Sequence, residues 1–300
     1  DEQHRFGVEQ RMNLSAKGEA TDILVMTATP IPRTLQLLEW GEMSVSRLDS
    51  KPAGRQPIRT TLHSMEAMPE ILAAISRAIA DNVQVFWVCP LIENSETQSA
   101  AAAEERWAML SERFPGIVGL AHGKQDIAIR QAALEAFRLG ETRILVATTV
   151  IEVGVDIPNA SVMVIEQAER FGLAQLHQLR GRVGRGAKKS FCLLLHDGMA
   201  TPTAVKRLTL LRDTNDGFMI ADEDYRIRGG GDLAGNRQSG LPGFRLAQGL
   251  RLSLLVTAMQ QDSERELDRN PHLEGKRGVA LRTLLMLFNR HEPDRLLISG

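Results

Sequence analysis

Short apolar runs rich in β-branched residues alternate along this chain with longer stretches of helical period. Val83–Cys89, Ile117–Leu120, Arg143–Ala147, Val162–Ile165 and Phe191–Leu195 read as buried strands. Between them, Met68–Asp81 places Ile71, Leu72, Ile75 and Ile79 on one side of a helix. Ser99–Phe114 is an Ala-rich helix, and Asp126–Arg138 is another. Strands that alternate with helices predict βαβ units, and so an α/β fold with a parallel sheet. The loops 121–124, 148–157 and 166–174 all follow strand ends, the edge where open parallel sheets bind ligands. Upstream, Ile23–Thr27 reads as a further strand, followed by Pro30, Pro32 and a short helix at Thr34–Trp40. The breaker-rich Lys51–Pro57 suits an interdomain linker. Past Leu195 the pattern turns helical, at Ala204–Arg212, Leu246–Asp268 and Val279–Asn289, with Gly229–Gly231 breaking any helix between.

Composition adds limits. Three hundred residues hold two compact domains, or one and a half plus a tail, and 43% hydrophobic with 24% charged residues is ordinary globular usage. A net charge of −1 gives no global signal for nucleic acid, so any such contact is local. One basic patch stands out: Arg180, Arg182, Arg185, Lys188 and Lys189, which also reads as a plain solvated face. Cys89 and Cys192 lie far apart in apolar runs, as expected for buried free thiols in a reducing cytoplasm. No run approaches the ~20 apolar residues of a membrane span.

The residues with chemical potential are few. Asp1-Glu2 suits a magnesium-binding carboxylate beside a water-polarising one, though taken alone the pair reads by default as a solvated terminus. Thr27 and Thr29 offer hydroxyls just after a strand, for a hydrogen-bond relay or a simple cap. Gly154 and Asp156 stand before Pro158, where a carboxylate accepts from a ribose or an arginine, or caps a turn. Arg182 and Arg185 are three apart and are expected to share one face of a helix, where guanidinium forks match phosphate oxygens. Gly181, Gly184 and Gly186 let backbone and phosphate come close. His122 fits either a core histidine or a strand-end nucleic-acid contact.

Together, DEQH, TATPIPRT, ATTVIEVGVDIPNA and QLHQLRGRVGRG resemble motifs II, III, V and VI of superfamily 2 helicases. HRFGVEQR and TNDGFMIADEDYRIRGGGDLAGNRQSGLPGFR resemble the RecG family in particular, and the resemblance covers nearly the whole chain. The motif VI block is similar also to the transcription-repair coupling factors, whereas RQSGLPGFR and VFWVCPLIE favour RecG. The resemblance implies a RecA-like parallel-sheet fold: the end of a first helicase domain over 1–50, a complete second one over 51–200, and a helical region with a translocation-motif hairpin over 201–300. It implies ATP and magnesium as cofactors, with Asp1 on the metal, Glu2 activating water and His4 coupling. By the same resemblance Thr27 and Thr29 are the motif III hydroxyls, and Gly154, Asp156 and Gln178 join Arg182 and Arg185 around the nucleotide, with Arg185 as arginine finger. Arg207, Arg228 and Gln238 resemble the translocation-motif residues that couple closure to movement on duplex DNA.

The implied activity is an ATP-dependent translocase on branched double-stranded DNA, reversing stalled forks and migrating junctions. Its partners would be forks and Holliday junctions, with a single-stranded DNA-binding protein in addition, and the protein would act as a cytoplasmic monomer. The alternatives are a transcription-repair coupling translocase and a non-catalytic DNA-binding module. Two departures from the family pattern bear on this. No phosphate loop of the form GxxxxGK followed by Ser or Thr occurs in these 300 residues, and Gly229-Gly230-Gly231 replaces the Gly-Pro-Gly associated with the family. The chain is therefore expected to be the C-terminal portion of a longer protein, with the phosphate loop and wedge domain upstream.

Overall fold

The computed structural model describes residues 24, 26, 46, 48, 56–90, 96–148, 157, 159–186, 188–198, 201–227 and 251–287. The elements expected at Ile23–Thr27 and Thr34–Trp40 fall outside them, apart from Leu24 and Met26. The described chain runs β1 (Arg59–Ser64), α1 (Met68–Ala80), β2 (Gln84–Val88), α2 (Glu96–Arg113), β3 (Val118–Ala121), α3 (Ile127–Leu139), β4 (Ile144–Ala147) and β5 (Ala160–Ile165). It continues through α4 (Leu173–Arg180), β6 (Phe191–His196), α5 (Pro202–Asp213), α6 (Gly217–Ile227), α7 (Arg251–Arg269) and α8 (Gly275–Leu287).

The six strands form one parallel sheet in the order β1-β6-β5-β2-β4-β3. The chain steps from β1 through β2 to β3 in one direction, and α1 and α2 cover one face. It returns through β4, β5 and β6, and α3 and α4 cover the other. Right-handed crossovers require that change of face when the direction reverses. Strand β2 shows the consequence: Val85, Trp87 and Cys89 pack with Ile71, Ile75, Ala103 and Leu110 of α1 and α2. Phe86 and Val88 pack instead with Phe137, Leu173, Leu176 and Leu179 of α3 and α4. Both faces are covered, so the inner strands read as continuous apolar runs rather than alternating ones.

Local signals set the helix ends. Asp126 caps α3, accepting from Ala128 N at 2.8 Å, and Gly140 closes it in the left-handed region at φ +80. Thr201 caps α5 ahead of Pro202. Two elements were not expected from the sequence. Strand β1, RTTLHS, has only Thr60 fully buried, because it is the sheet's edge and carries no apolar run. Helix α6 opens on glycine and holds three acids, but Asp216 accepts from Phe218 N at 2.8 Å and starts it.

The chain divides into two compact units, Leu48–Ile220 and a second made of Asp1–Arg47 with Ala221–Gly300. Leu208 and Leu211 of α5 and Ile220 of α6 join the core of the first unit. In the second, α7 and α8 are joined by a tight turn. Asn270 accepts from Glu274 N and donates to Glu274 O, each at 2.8 Å, and Arg277 pairs with Glu266 across the helices at 2.7 Å. No helix among the described residues is long and apolar enough to cross a membrane.

Candidate functional site

Helix α4 buries Leu173, Leu176 and Leu179 against the sheet and leaves Gln178 half-buried. It ends at Arg180, one turn earlier than the helix expected to carry Arg182 and Arg185. Those two residues therefore do not share a helical face. Gly181 N–H closes onto His177 O at 3.0 Å, and Arg182 N–H onto Leu179 O at 3.0 Å. Val183 then drops into the core, and Gly184 turns the chain at φ +78. A Cβ on Gly184 would lie 2.9 Å from Ile58 Cγ1, so backbone angle and space both demand glycine there. The turn leaves Arg182 half-buried and Arg185 exposed, with Arg185 Nε donating to Gly181 O at 3.4 Å.

This arginine turn lies at the edge where strands begin. Ser190 O accepts from Arg59 N at the start of β1, and Lys188 Nζ donates to Asp81 O, at 3.3 Å, ahead of β2. The described residues that follow strand ends, His122, Thr148 and Glu166 among them, stand at the opposite edge.

Arg180 does not belong to the surface basic patch in which the sequence placed it. It is 2% exposed and donates through Nη1 to Leu211 O at 2.6 Å and Thr214 O at 2.8 Å, while its Nη2 lies 3.0 Å from His177 Nδ1. The guanidinium thus caps the C-terminus of α5, where carbonyls lack helical partners and the macrodipole is negative. Burial lowers its pKa from the ordinary arginine range.

At the strand-end edge, His122 is 3% exposed, and its backbone N–H donates to Gln125 Oε1 at 3.0 Å. Its Nε2 comes within 3.2 Å of Glu104 Oε1, but neither ring nitrogen has a hydrogen-bond partner, so the contact lacks hydrogen-bond alignment. Lys124 donates to Thr97 Oγ1 nearby.

The loop after β5 is held from two sides. Glu166, at 6% exposure, accepts from Trp87 Nε1 and pairs with Arg106, whose Nη2 lies 3.0 Å from Oε2. Arg207, on α5, donates to Glu169 O at 3.2 Å and Phe171 O at 3.5 Å. Between them Gln167 adopts φ +45, a left-handed backbone uncommon outside glycine. The acid at the end of an apolar strand is readable in VIEQ. Its partners stand 60 and 79 residues away, and no local pattern announces them.

Both cysteines are buried free thiols, as expected. Burial pushes Cys192 up to about 12 and raises Cys89 too, with the Glu166 charge adding to the latter. Asp1, Glu2, His4, Thr27, Thr29, Gly154, Asp156, Arg228 and Gln238 lie outside the described residues. Among the described residues no group of three or more His, Cys, Asp or Glu is placed to hold a metal.

Residues 65–187 match the helicase conserved C-terminal domain family, and residues 214–286 match the C-terminal part of domain 3 of the ATP-dependent DNA helicase RecG. The chain belongs to the RecG helicase family. It is 49% identical over 276 residues to the ATP-dependent DNA helicase RecG of Synechocystis sp., covering 91% of this chain and 33% of that protein. The Escherichia coli RecG is 48% identical over 277 residues, covering 90% of this chain and 40% of that protein. A solved structure of RecG bound to a three-way DNA junction superposes with a TM-score of 0.65 at 39% identity, covering 82% of this chain and 31% of that one. The chain thus spans about a third to two-fifths of these RecG relatives. The parallel sheet is the RecA-like helicase fold that the motifs implied.

Proposed function

We propose that this chain supplies the second RecA-like domain and the helical region of an ATP-dependent translocase acting on branched double-stranded DNA, reversing stalled forks and migrating Holliday junctions. The observation that carries the reading is the arginine turn, inside the segment that matches the helicase C-terminal domain. Two guanidinium groups there flank a glycine-shaped turn on the α/β domain, a donor set that fits the oxygens of a triphosphate. ATP, when bound, supplies the γ-phosphoryl group whose transfer to water releases the free energy for movement. Arg182 and Arg185 would hold the phosphate oxygens and neutralise their negative charge, and Gln178 on the preceding helix would help orient the same group. Asp1 would hold magnesium and Glu2 would orient water, while Gly154 and Asp156 would line the nucleotide. His4, Thr27 and Thr29 would relay the nucleotide's state to DNA contacts; His122, at 3% exposure, is a core histidine behind the strand-end loop and not itself a DNA contact.

Arg207 fits a coupling role in a specific way. It ties α5 to the backbone just ahead of α4, and Arg180 ties the far end of α4 to the far end of α5. Movement of the arginine turn would thereby be passed to the helical region with little slack, and Arg228 and Gln238 would carry it to the duplex. The similarity of residues 214–286 to RecG domain 3 favours this substrate over that of a transcription-repair coupling factor. A single-stranded DNA-binding protein would be the recruiting partner, and a cytoplasmic monomer the working form.

The test is DNA-dependent ATPase activity of the full-length protein. Arg185→Ala should lower turnover by about a thousandfold, the scale on which arginine fingers act, with nucleotide binding retained. Turnover near the wild-type rate would remove Arg185 from the mechanism.

A further inference from the structure

Strand β3 is an edge of the sheet, and among the described residues no strand lies outside it. In a parallel ladder, residues alternate between facing the neighbour and facing away, and each residue turns its N–H and C=O to the same side. Ile117 O accepts from Arg143 N and Ile144 N, and Ala121 O accepts from Thr148 N, so the odd-numbered residues face β4. Val118, Leu120 and His122 therefore turn their peptide groups outward. Such a row is a template for a strand from another chain.

Side chains occupy that row. Gln125 Nε2 donates to Leu120 O at 3.2 Å, and Gln125 Oε1 accepts from His122 N at 3.0 Å. One residue of a parallel strand would make the same two bonds: its N–H to one carbonyl, and its C=O from the amide two residues on. The loop after β3 holds the carboxamide in place through Gln125 N, which donates to His122 O at 3.2 Å. One step back along the edge, Trp107 on α2 donates its indole Nε1 to Val118 O at 3.1 Å. The two residues approach from opposite sides in sequence, one from the helix before β3 and one from the loop after it.

We infer that the Gln125 carboxamide is a one-residue surrogate strand which, with Trp107, closes the outer edge of β3 and keeps a second copy of this chain from adding to the sheet. Only two more outward N–H groups remain, those of Val118 and Leu120, too few to seed a ladder. Strand β3 has four residues, and a short edge is itself a protection.

The test uses the full-length protein with Gln125→Met, which keeps length but makes neither bond, alone and combined with Trp107→Phe. Hydrogen-exchange mass spectrometry over residues 118–125 should show the His122 amide exchanging about tenfold faster in Gln125→Met, the scale of one lost hydrogen bond. In sedimentation velocity, the double variant should associate at a concentration about tenfold below any wild-type association, with a gain of intermolecular β-sheet infrared absorption. Unchanged exchange in Gln125→Met overturns the surrogate strand. Faster exchange with a wild-type sedimentation profile at every concentration overturns the protective role. The wild-type protein offers a check that needs no variant: the outward-facing His122 amide must be protected, and exchange at an unprotected rate sinks the inference.

Discussion

Arg180 shows how far a residue's type can mislead when its surroundings are unknown. Within RGRVGRGAKK it looks like one more member of a basic face, yet it is buried and spends its donors on the carbonyls of Leu211 and Thr214 at the end of α5 and on His177. Replacing it with methionine keeps the apolar volume and strands both carbonyls. We expect Arg180→Met to lower stability by about 2–6 kcal/mol, read from the urea midpoint, because each unsatisfied buried acceptor costs about 1–3 kcal/mol. An unchanged midpoint would mean that water replaces the guanidinium. Cys192 follows the opposite course: its type foretold burial, and burial sets its chemistry. Its thiol is pushed up to about 12 from an ordinary 9.0, so at pH 8 the folded protein holds almost no thiolate there. Iodoacetamide should label Cys192 slowly in the native protein and quickly after denaturation. The sign for stability follows. A raised thiol pKa favours the native state only while the thiol is protonated, so this contribution is complete below about pH 9 and is lost as pH rises toward 12. Rapid native labelling would show that the site opens.

At the scale of elements, the arginine turn and the α7–α8 hairpin depend on single glycines for different reasons. Gly184 combines a left-handed backbone with Ile58 at 2.9 Å from any Cβ, which fixes where Arg182 and Arg185 leave the helix. Gly278, in the first turn of α8, would place a Cβ 2.0 Å from the Leu273 carbonyl carbon and oxygen. Backbone atoms cannot step aside as a flexible side chain can. Gly278→Ala should therefore open the turn held by Asn270 and Glu274, at a cost of about 2 kcal/mol or more, the range of strain and overpacking penalties. Loss of protection in residues 270–280 by hydrogen exchange would report it, and wild-type protection would count against so tight a contact. Strands and helices with strong apolar period were legible, to within a few residues at each end. Strand β1 was not, because an edge strand buries one residue and lacks the apolar run by which strands are read. The helical reading of Arg182 and Arg185 failed because three-residue spacing implies a shared face only while the helix lasts, and here it ends at Arg180, with Gly181 as its cap.

At the scale of the molecule, the arginine turn stands on the strand-start edge of the sheet, and His122 and the Glu166 loop stand on the strand-end edge. On the function proposed above, the strand-start edge would meet nucleotide and the strand-end edge would be left for DNA. No GxxxxGK followed by Ser or Thr occurs in these 300 residues, so on the proposed function we expect the purified 300-residue chain to show no ATP turnover with forked DNA. Measurable turnover in a coupled assay would overturn the role given to an upstream phosphate loop. What the sequence determined by itself was the α/β class, most strand and helix positions, the buried state of both cysteines and the helicase motifs, since periodicity and motif order are written locally. What only the tertiary structure decided was which groups meet. Glu166 finds Trp87 and Arg106, Arg180 finds α5, and Gln125 pairs with the outer edge of β3. Such meetings depend on strand order and on the face each crossover takes, which local sequence does not encode.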